Sequence, residues 1–189
     1  MQIKNIVCLA LCLSLSSTVA WPQNATRDDL KPSFNREALV RFLVESKKHT
    51  YASQGDEATV KSPLLPGTHQ LEYSEGPFLY RDIYTGNAMF AGQEMVYYSG
   101  KPVWTMSYAG NIPAEVSKED VGALVKLLHM ALMRVPVEIP YRGPLQLQDG
   151  AYTYSNHPDG QLDSFFGRET ITRGSTVLYE LRYGGGLVR

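Results

Sequence analysis

Two glutamates occupy the same place in two copies of one short pattern, Phe-x-Gly-x-Glu, at Glu94 and Glu169. Because residues i and i+2 of a strand share a face, each carboxylate would lie beside a phenylalanine on an apolar face. A carboxylate in such surroundings is unfavourable unless it is paired or hydrogen-bonded. Two interpretations stay open. The pair could face a ligand groove, or each glutamate could accept structural hydrogen bonds from a neighbouring tyrosine or backbone amide.

Four aromatic residues lie on strands close to these glutamates and could line a groove. Trp104 and Tyr108 are four residues apart on one predicted strand, and Tyr179 and Tyr183 have the same spacing on another. Such side chains would give a ligand site apolar walls with polar tips. The alternative is that they fill the core.

Two further charged residues are candidates for ligand contacts. Asp82 lies between Tyr80 and Tyr84 on one strand face and could bind a polar or cationic group, or accept a hydrogen bond from a tyrosine. Arg142, in the segment Tyr141-Arg142-Gly143-Pro144, could clamp an anion. The alternative for Arg142 is an ordinary surface-loop arginine.

No familiar catalytic or cofactor motif accompanies these candidates. The histidines, His49, His69, His129 and His157, form neither an H-x-x-x-H nor an H-E-x-x-H pair. The chain has no Gly-x-Ser-x-Gly elbow, and its glycine run at 184–186 precedes no helix that could hold a phosphate. We therefore expect no metal and no cofactor, and we assign no catalytic residue.

Hydrophobic periodicity predicts an α+β fold. Helices are expected at about 34–48 and 118–135, and strands run from about residue 70 to residue 108. Three more strands are expected at about 151–155, 162–172 and 176–183. The stretches 49–68 and 136–150 contain proline and glycine and are expected to be loops.

The two strand groups match each other residue by residue. The segment from Phe90 to Gly110 aligns with the segment from Phe165 to Gly185 without a gap, and a predicted helix precedes each group. This match favours a duplication over chance similarity. The predicted fold is a tandem duplicated helix-plus-antiparallel-strands unit with pseudo-twofold symmetry, its helices packed on an antiparallel sheet. The repeats are expected at about 34–111 and 117–187, with a groove between them.

The N-terminus has the three parts of a secretory signal peptide. An early lysine precedes an apolar run that is too short to span a bilayer, and small residues lead to a cleavage site after Ala20. The expected division is a signal peptide at 1–20, a flexible leader at 21–33 and one α+β domain at 34–189. The mature protein is therefore predicted to be secreted or periplasmic.

Composition limits the partners of the mature protein. The net charge is −1 and the chain has no basic run, so nucleic acid is not an expected partner. No second apolar stretch reaches membrane length, so no membrane span is expected. Both cysteines, Cys8 and Cys12, lie in the predicted signal peptide, which would leave the mature chain without a disulfide or a thiolate.

Several motifs together cover about residues 38–186. They are Thr50-Tyr51-Ala52, Pro66-Gly67-Thr68-His69-Gln70-Leu71-Glu72-Tyr73, Tyr80-x-Asp82-x-Tyr84-x-Gly86, Phe90-x-Gly92-x-Glu94, Pro102-Val103-Trp104-x-Met106-x-Tyr108-x-Gly110 and Tyr141-Arg142-Gly143-Pro144. This set resembles a bacterial family classed only as a domain of unknown function. Other members of that family carry the domain after an Xre-type helix-turn-helix segment, whereas this chain has a predicted signal peptide instead.

The resemblance implies a sensor or ligand-binding role but brings no established activity and no site residues. A looser, fold-level analogy is the GyrI-like effector-binding domain, which is also a duplicated α+β unit.

The leading functional expectation is an exported small-ligand-binding or sensor-like module with a groove between the two repeats. Glu94 and Glu169 would supply polarity and the four aromatic residues would form the walls. One alternative is a carboxylate-dependent hydrolase or isomerase that uses the two glutamates as acid and base. Another is an envelope protein that binds a protein partner through its tyrosine-rich sheet.

Overall fold

The computed structural model describes residues 34–50 and 56–188, which form two α-helices and eight β-strands. The predicted signal peptide and leader lie outside the described residues. The first half consists of helix α1 (Arg36–His49) and strands β1 (His69–Glu75), β2 (Phe78–Gly86), β3 (Met89–Tyr98) and β4 (Lys101–Asn111). The second half consists of helix α2 (Lys118–Leu132) and strands β5 (Gln146–Asp149), β6 (Tyr152–Gln161), β7 (Ser164–Arg173) and β8 (Thr176–Leu187).

All eight strands join one antiparallel sheet in the order β1-β2-β3-β4-β8-β7-β6-β5. Each half contributes four strands that follow one another in space as they do in sequence. The halves meet where β4 pairs with β8, with Tyr108 opposite Tyr183. The predicted α+β fold is therefore confirmed.

Both helices begin at a side-chain cap. The Asn35 side chain accepts a hydrogen bond from the Ala38 N–H (3.1 Å), and Ser117 Oγ accepts one from the Asp120 N–H (3.1 Å). The sequence predicts that helix α2 ends at about residue 135, but the helix ends at Leu132. The reason is Pro136, whose ring would clash with the carbonyl of Leu132 in a continued helix. No helix within the described ranges is long and apolar enough to cross a membrane.

The last strands differ from the prediction in two places. Strand β5 lies inside the predicted loop at 136–150, because four residues are too few to give a clear alternation. Strand β6 continues past Ser155 to Gln161 even though it contains Pro158. Proline is tolerated there because β5 pairs with β6 only as far as Ser155, which leaves the later part of β6 at an open edge.

The two helices cover the same face of the sheet, which is called the helix face below. Helix α1 contacts β1 and β2, and helix α2 contacts β5, β6 and β8. The centre of the core is aromatic: Trp104 and Phe165 are fully buried, and the ring of Tyr141 stacks on Phe165 at 3.8 Å between centroids. The helix face thus holds the candidate residues, while the opposite face carries most of the exposed polar strand positions.

Candidate functional site

The first candidate cluster is a buried ion pair between Lys47 of α1 and Glu94 of β3. Lys47 lies eight residues after Leu39 and four after Leu43, so it belongs to the apolar stripe that α1 turns toward the sheet. Both charged side chains are fully buried. Lys47 Nζ donates to Glu94 Oε2 and to the Tyr80 hydroxyl (3.4 Å).

The first cluster is incompletely hydrogen-bonded. Glu94 Oε1 and Trp104 Nε1 are both buried, and neither has a hydrogen-bond partner among the described residues. Burial lowers the pKa of Lys47, although the Glu94 carboxylate opposes this effect. The ammonium is therefore held by one carboxylate oxygen and one phenol, and the Arg142 guanidinium and Asp82 carboxylate are near enough to affect its pKa in opposite directions.

The second candidate cluster joins Arg142 to Glu169 of β7. Arg142 Nε donates to Glu169 Oε2 (2.8 Å) and Arg142 Nη2 donates to Oε1 (2.5 Å), which is a bidentate pair. The hydroxyls of Tyr154 and Tyr179 also donate to this carboxylate, at 2.6 and 2.9 Å. Burial alone would lower the pKa of Arg142, but the Glu169 carboxylate raises it well above its ordinary value.

Local packing sets the position of Arg142. The preceding Tyr141 stacks on Phe165, which holds this segment against the helix face. A side chain at Gly143 would meet the Tyr154 hydroxyl, so the backbone there lies close to the cluster. Arg142 is only 4% exposed, and its interpretation as a surface-loop arginine is therefore wrong.

The remaining candidates form two tyrosine contacts next to the ion pairs. The Tyr108 hydroxyl donates to Asp82 (3.0 Å), as expected for a tyrosine beside that acid, and the Tyr183 hydroxyl donates to Asn156 (2.7 Å). Each of these rings lies over a glycine of the neighbouring strand, where a Cβ would collide with the ring. The glycines of the two Phe-x-Gly-x-Glu patterns are thus sites of close approach.

The structure places all eight predicted site residues on the helix face and buries them, but in two clusters rather than one. Glu94 lies on β3 and Glu169 on β7, with β4 and β8 between them. Each carboxylate is bound by its own cation, Lys47 for Glu94 and Arg142 for Glu169. Sequence reasoning missed Lys47, although a lysine on the apolar stripe of a helix was a usable signal.

An apolar crevice opens on the helix face where the halves meet, and we call it the seam crevice. Its volume is ≈ 220 Å³, which is below the range of about 300–1,000 Å³ that is usual for small-molecule sites. Its walls are Tyr84, Phe90, Ile112, Leu124, Leu128 and Tyr179, with Gly86, Asn87 and Val125 beside them. Of the eight predicted site residues, Tyr179 lines this crevice.

The aromatic wall of the seam crevice combines both halves. The rings of Phe90 and Tyr179 are nearly parallel, with centroids 6.2 Å apart and an interplanar angle of 16°. Tyr179 is fixed at its hydroxyl by Glu169. Burial, followed by the nearby Asp82 carboxylate, raises the pKa of Tyr84, so this wall is neutral at ordinary pH.

Comparison with known proteins gives one match. A family model described as a domain of unknown function (DUF5680) matches residues 82–188, which is more than half of the chain. No curated protein matches, and no solved structure matches. The match supports the expected membership in an uncharacterised domain family, while the Xre-type fusions and the GyrI-like analogy stay predictions.

Proposed function

The chain belongs to the DUF5680 family, a domain of unknown function, and we propose that it is an exported module that binds a small, largely apolar molecule. The proposal rests on the seam crevice, whose walls come from both halves and are almost entirely apolar. Engineered apolar cavities of about 150 Å³ bind benzene. The ≈ 220 Å³ of the seam crevice therefore suits a ligand with one or two rings or a short branched chain.

The predicted site residues would act mainly from behind the crevice wall. Tyr179 would contact the ligand directly. Glu169 and Arg142 would hold Tyr179 in place, since the Glu169 carboxylate binds both the guanidinium and the Tyr179 hydroxyl. A wall that is fixed before binding loses little conformational entropy on binding, which favours affinity for a small ligand.

The proposal includes a tandem duplication with pseudo-twofold symmetry. One support is the strand order, because in each half the strands follow one another in sequence from the sheet edge to the central β4–β8 pair. Another support is that equivalent residues of the two halves make matching contacts. Glu94 pairs with a cation beside Tyr80 as Glu169 does beside Tyr154. The register also shifts at equivalent places, after Val96 in β3 and after Ile171 in β7. Two halves that superpose poorly in an experimental structure would contradict the duplication.

Export is the part of the proposal that rests on sequence alone. The predicted signal peptide ends near Ala20, outside the described residues. Fractionation of cells that produce the full chain would test it, together with the N-terminal sequence of the exported product. A product that begins at Met1 and stays in the cytoplasm would contradict export.

The carboxylate-dependent hydrolase or isomerase has less support than the binding module. Glu94 and Glu169 are each fully buried and bound to a cation, so neither carboxylate is available to act as an acid or base on a substrate. The envelope interaction domain has no comparable feature in its favour. Binding without turnover is therefore the function we propose.

Thermal unfolding of the mature chain with small aromatic probes, such as indole and p-cresol, tests the seam crevice. At a concentration 100 times Kd a ligand stabilises the fold by about 2.7 kcal/mol, which should raise Tm by several degrees. Leu128→Trp should abolish this shift by filling the crevice. Met133→Trp, near the end of the same helix and outside the crevice, is the matched control and should keep it.

A second comparison tests the role of the buried carboxylates. Glu169→Gln should weaken probe binding more than Glu94→Gln, because only Glu169 bonds to the crevice residue Tyr179. Calorimetric titration at a temperature where both variants are folded measures the difference. If Leu128→Trp leaves the probe shift intact, or no probe in a broad set stabilises the protein, the seam crevice is not the binding site.

A further inference from the structure

A second concave site lies on the opposite face of the sheet, away from the seam crevice, under residues 61–68. This segment is fastened to edge strand β1. The Val60 N–H donates to the Gln70 carbonyl (2.9 Å), and the Leu64 N–H donates to Gln70 Oε1 (2.7 Å). Gln70 is itself buried, so the segment has a firm anchor.

A tight turn fixes the leucines of this segment. Gly67 has a positive φ of 79°, Pro66 precedes it, and the Thr68 N–H donates to the Leu65 carbonyl (3.3 Å). These features describe a type II turn, which requires glycine at its third position. The side chains of Leu64 and Leu65 are nevertheless 61% and 56% exposed, so the turn presents two adjacent apolar groups to an open space.

That space is a groove of ≈ 450 Å³, called the outer groove below. Leu64 and Leu65 form one wall, and Ile83, Ala91 and Met95 form the apolar part of the sheet beneath them. The volume lies within the range of about 300–1,000 Å³ that is usual for small-molecule sites. A flexible alkyl chain would bury against these walls.

One cation lines the outer groove. Arg81 Nε donates to Glu72 Oε1 (2.6 Å), and the guanidinium lies over the Tyr97 ring at 5.5 Å. These contacts orient the side chain without using its terminal nitrogens, which contact no hydrogen-bond acceptor in the part of the chain that the structure describes. A guanidinium fixed in this way can donate to a carboxylate.

The second half has a groove of ≈ 500 Å³ at the equivalent place, but different residues line it, among them Leu145, Ser155 and His157. Tyr80 and Asp82 correspond in register to Tyr154 and Asn156, so the position of Arg81 is taken by Ser155. By the same register His157 replaces Ile83. Both halves therefore carry a groove, but only the groove of the first half combines an arginine with Ile83, Ala91 and Met95.

We propose that the outer groove binds a free aliphatic carboxylate, with its alkyl chain against Leu65, Ile83 and Met95 and its head group on the terminal nitrogens of Arg81. Charge complementarity selects this ligand class, because the groove offers one cation in a mostly apolar lining, whose other polar side chains, Thr68, Thr85 and Gln93, are uncharged. Glu72 already neutralises part of that charge, so the alkyl chain supplies most of the affinity.

Calorimetric titration of the mature chain with sodium decanoate, below its micelle concentration, tests this proposal. We expect one site, with octanoate binding about 15-fold more weakly because two fewer methylenes are buried. Arg81→Gln should weaken decanoate binding about tenfold and leave decanol binding almost unchanged. Ala91→Trp should block both compounds, since Ala91 is an exposed residue of the groove that can take a larger side chain. His157→Trp, at the position matched to Ile83, is the control and should bind like the parent chain.

Three results would overturn the proposal. If decanoate and decanol bind equally and Arg81→Gln has no effect, the groove does not recognise a carboxylate. Binding that survives Ala91→Trp but is lost in Leu128→Trp would place the ligand in the seam crevice. Binding seen only with micelles or phospholipid vesicles would indicate a lipid surface instead of a free carboxylate. Failure of the seam crevice alone, tested with indole, would leave the outer groove unaffected.

Discussion

Separating the charges of the Lys47–Glu94 pair should destabilise the fold by several kcal/mol, and the two single substitutions should respond to pH in opposite directions. Both side chains are fully buried, so neither charge can be hydrated when its partner is removed. Removing one partner of a buried ion pair commonly costs about 3–5 kcal/mol. The proposed changes are Lys47→Met and Glu94→Gln.

In Lys47→Met the remaining acid avoids an unpaired buried charge by staying protonated in the folded protein. Glutamate carboxyls of the unfolded chain ionise near pH 4.3, so holding one neutral at pH 7 costs up to about 4 kcal/mol. The same difference is only about 1 kcal/mol at pH 5. The folded state of this variant binds more protons than the unfolded state, so its stability relative to the parent falls as pH rises.

In Glu94→Gln the remaining amine would be neutral in the folded protein. Burial already lowers the pKa of Lys47, and loss of the carboxylate removes the main opposing effect. Lysine in the unfolded chain titrates near 10.4, so the penalty is up to about 5 kcal/mol at pH 7 and about 2 kcal/mol at pH 9. Here the unfolded state binds more protons, and relative stability rises with pH.

Urea denaturation of the mature chain between pH 5 and pH 9, about the range in which both penalties change most, measures these differences. The double variant Lys47→Met/Glu94→Gln should lose less stability than the sum of the single changes, because it removes both charges of the pair and leaves neither without its partner. Lys48→Met is the matched control. Lys48 is adjacent but about one-third exposed, and its pair with Glu45 should contribute less than about 1 kcal/mol.

The reasoning fails if the two single variants show the same pH dependence as the parent chain, or if each loses less stability than Lys48→Met. Either result would mean that the pair is hydrated or uncharged in the folded protein. Additive effects in the double variant would likewise show that the two side chains are not coupled.

Two other predictions concern stability. Burial raises the pKa values of Tyr80, Tyr154 and Tyr179 well above 10, so these groups stay protonated in the folded state while the unfolded state ionises. The free energy of unfolding should therefore fall above pH 10 by up to about 4 kcal/mol per pH unit for the three tyrosines together. Phenolate absorbance should rise together with unfolding. Ionisation of every tyrosine before the protein unfolds would contradict this prediction. Gly122→Ala, at an exposed position inside α2, should stabilise the fold by about 0.5–1 kcal/mol, whereas Gly167→Ala should destabilise it because its Cβ would meet the Tyr183 ring. Urea midpoints measure both, and equal shifts would refute the steric argument.

Much of the fold follows from patterns that are local in sequence. Apolar periodicity is enough to locate the two helices approximately, and alternation locates the long strands. Strand β5 could not be predicted in this way, because four residues next to a proline-rich segment carry little periodic signal. Its place in the sheet depends on pairing with β6, which is a long-range property.

The candidate site was less predictable, because it depends on which partners reach the helix face. The sequence identifies Glu94 and Glu169 as carboxylates on apolar faces and so requires a partner for each. It does not show that Lys47 comes from a helix and Arg142 from a loop. The spacing of Lys47 from Leu39 places it on the apolar stripe of α1.

The chemical difference between the two buried ion pairs bears on where a ligand can bind. Glu169 receives four hydrogen bonds and so fixes the Tyr179 wall of the seam crevice, whereas Glu94 keeps one oxygen without a hydrogen-bond partner among the described residues. Trp104, which takes the place of Tyr179 in the first half, also has no partner for its indole N–H within the described ranges. A fully bonded cluster rigidifies its surroundings more than a partly bonded one. The second half is therefore the better support for a preformed wall, and ligand affinity in the seam crevice should depend on Glu169 before Glu94.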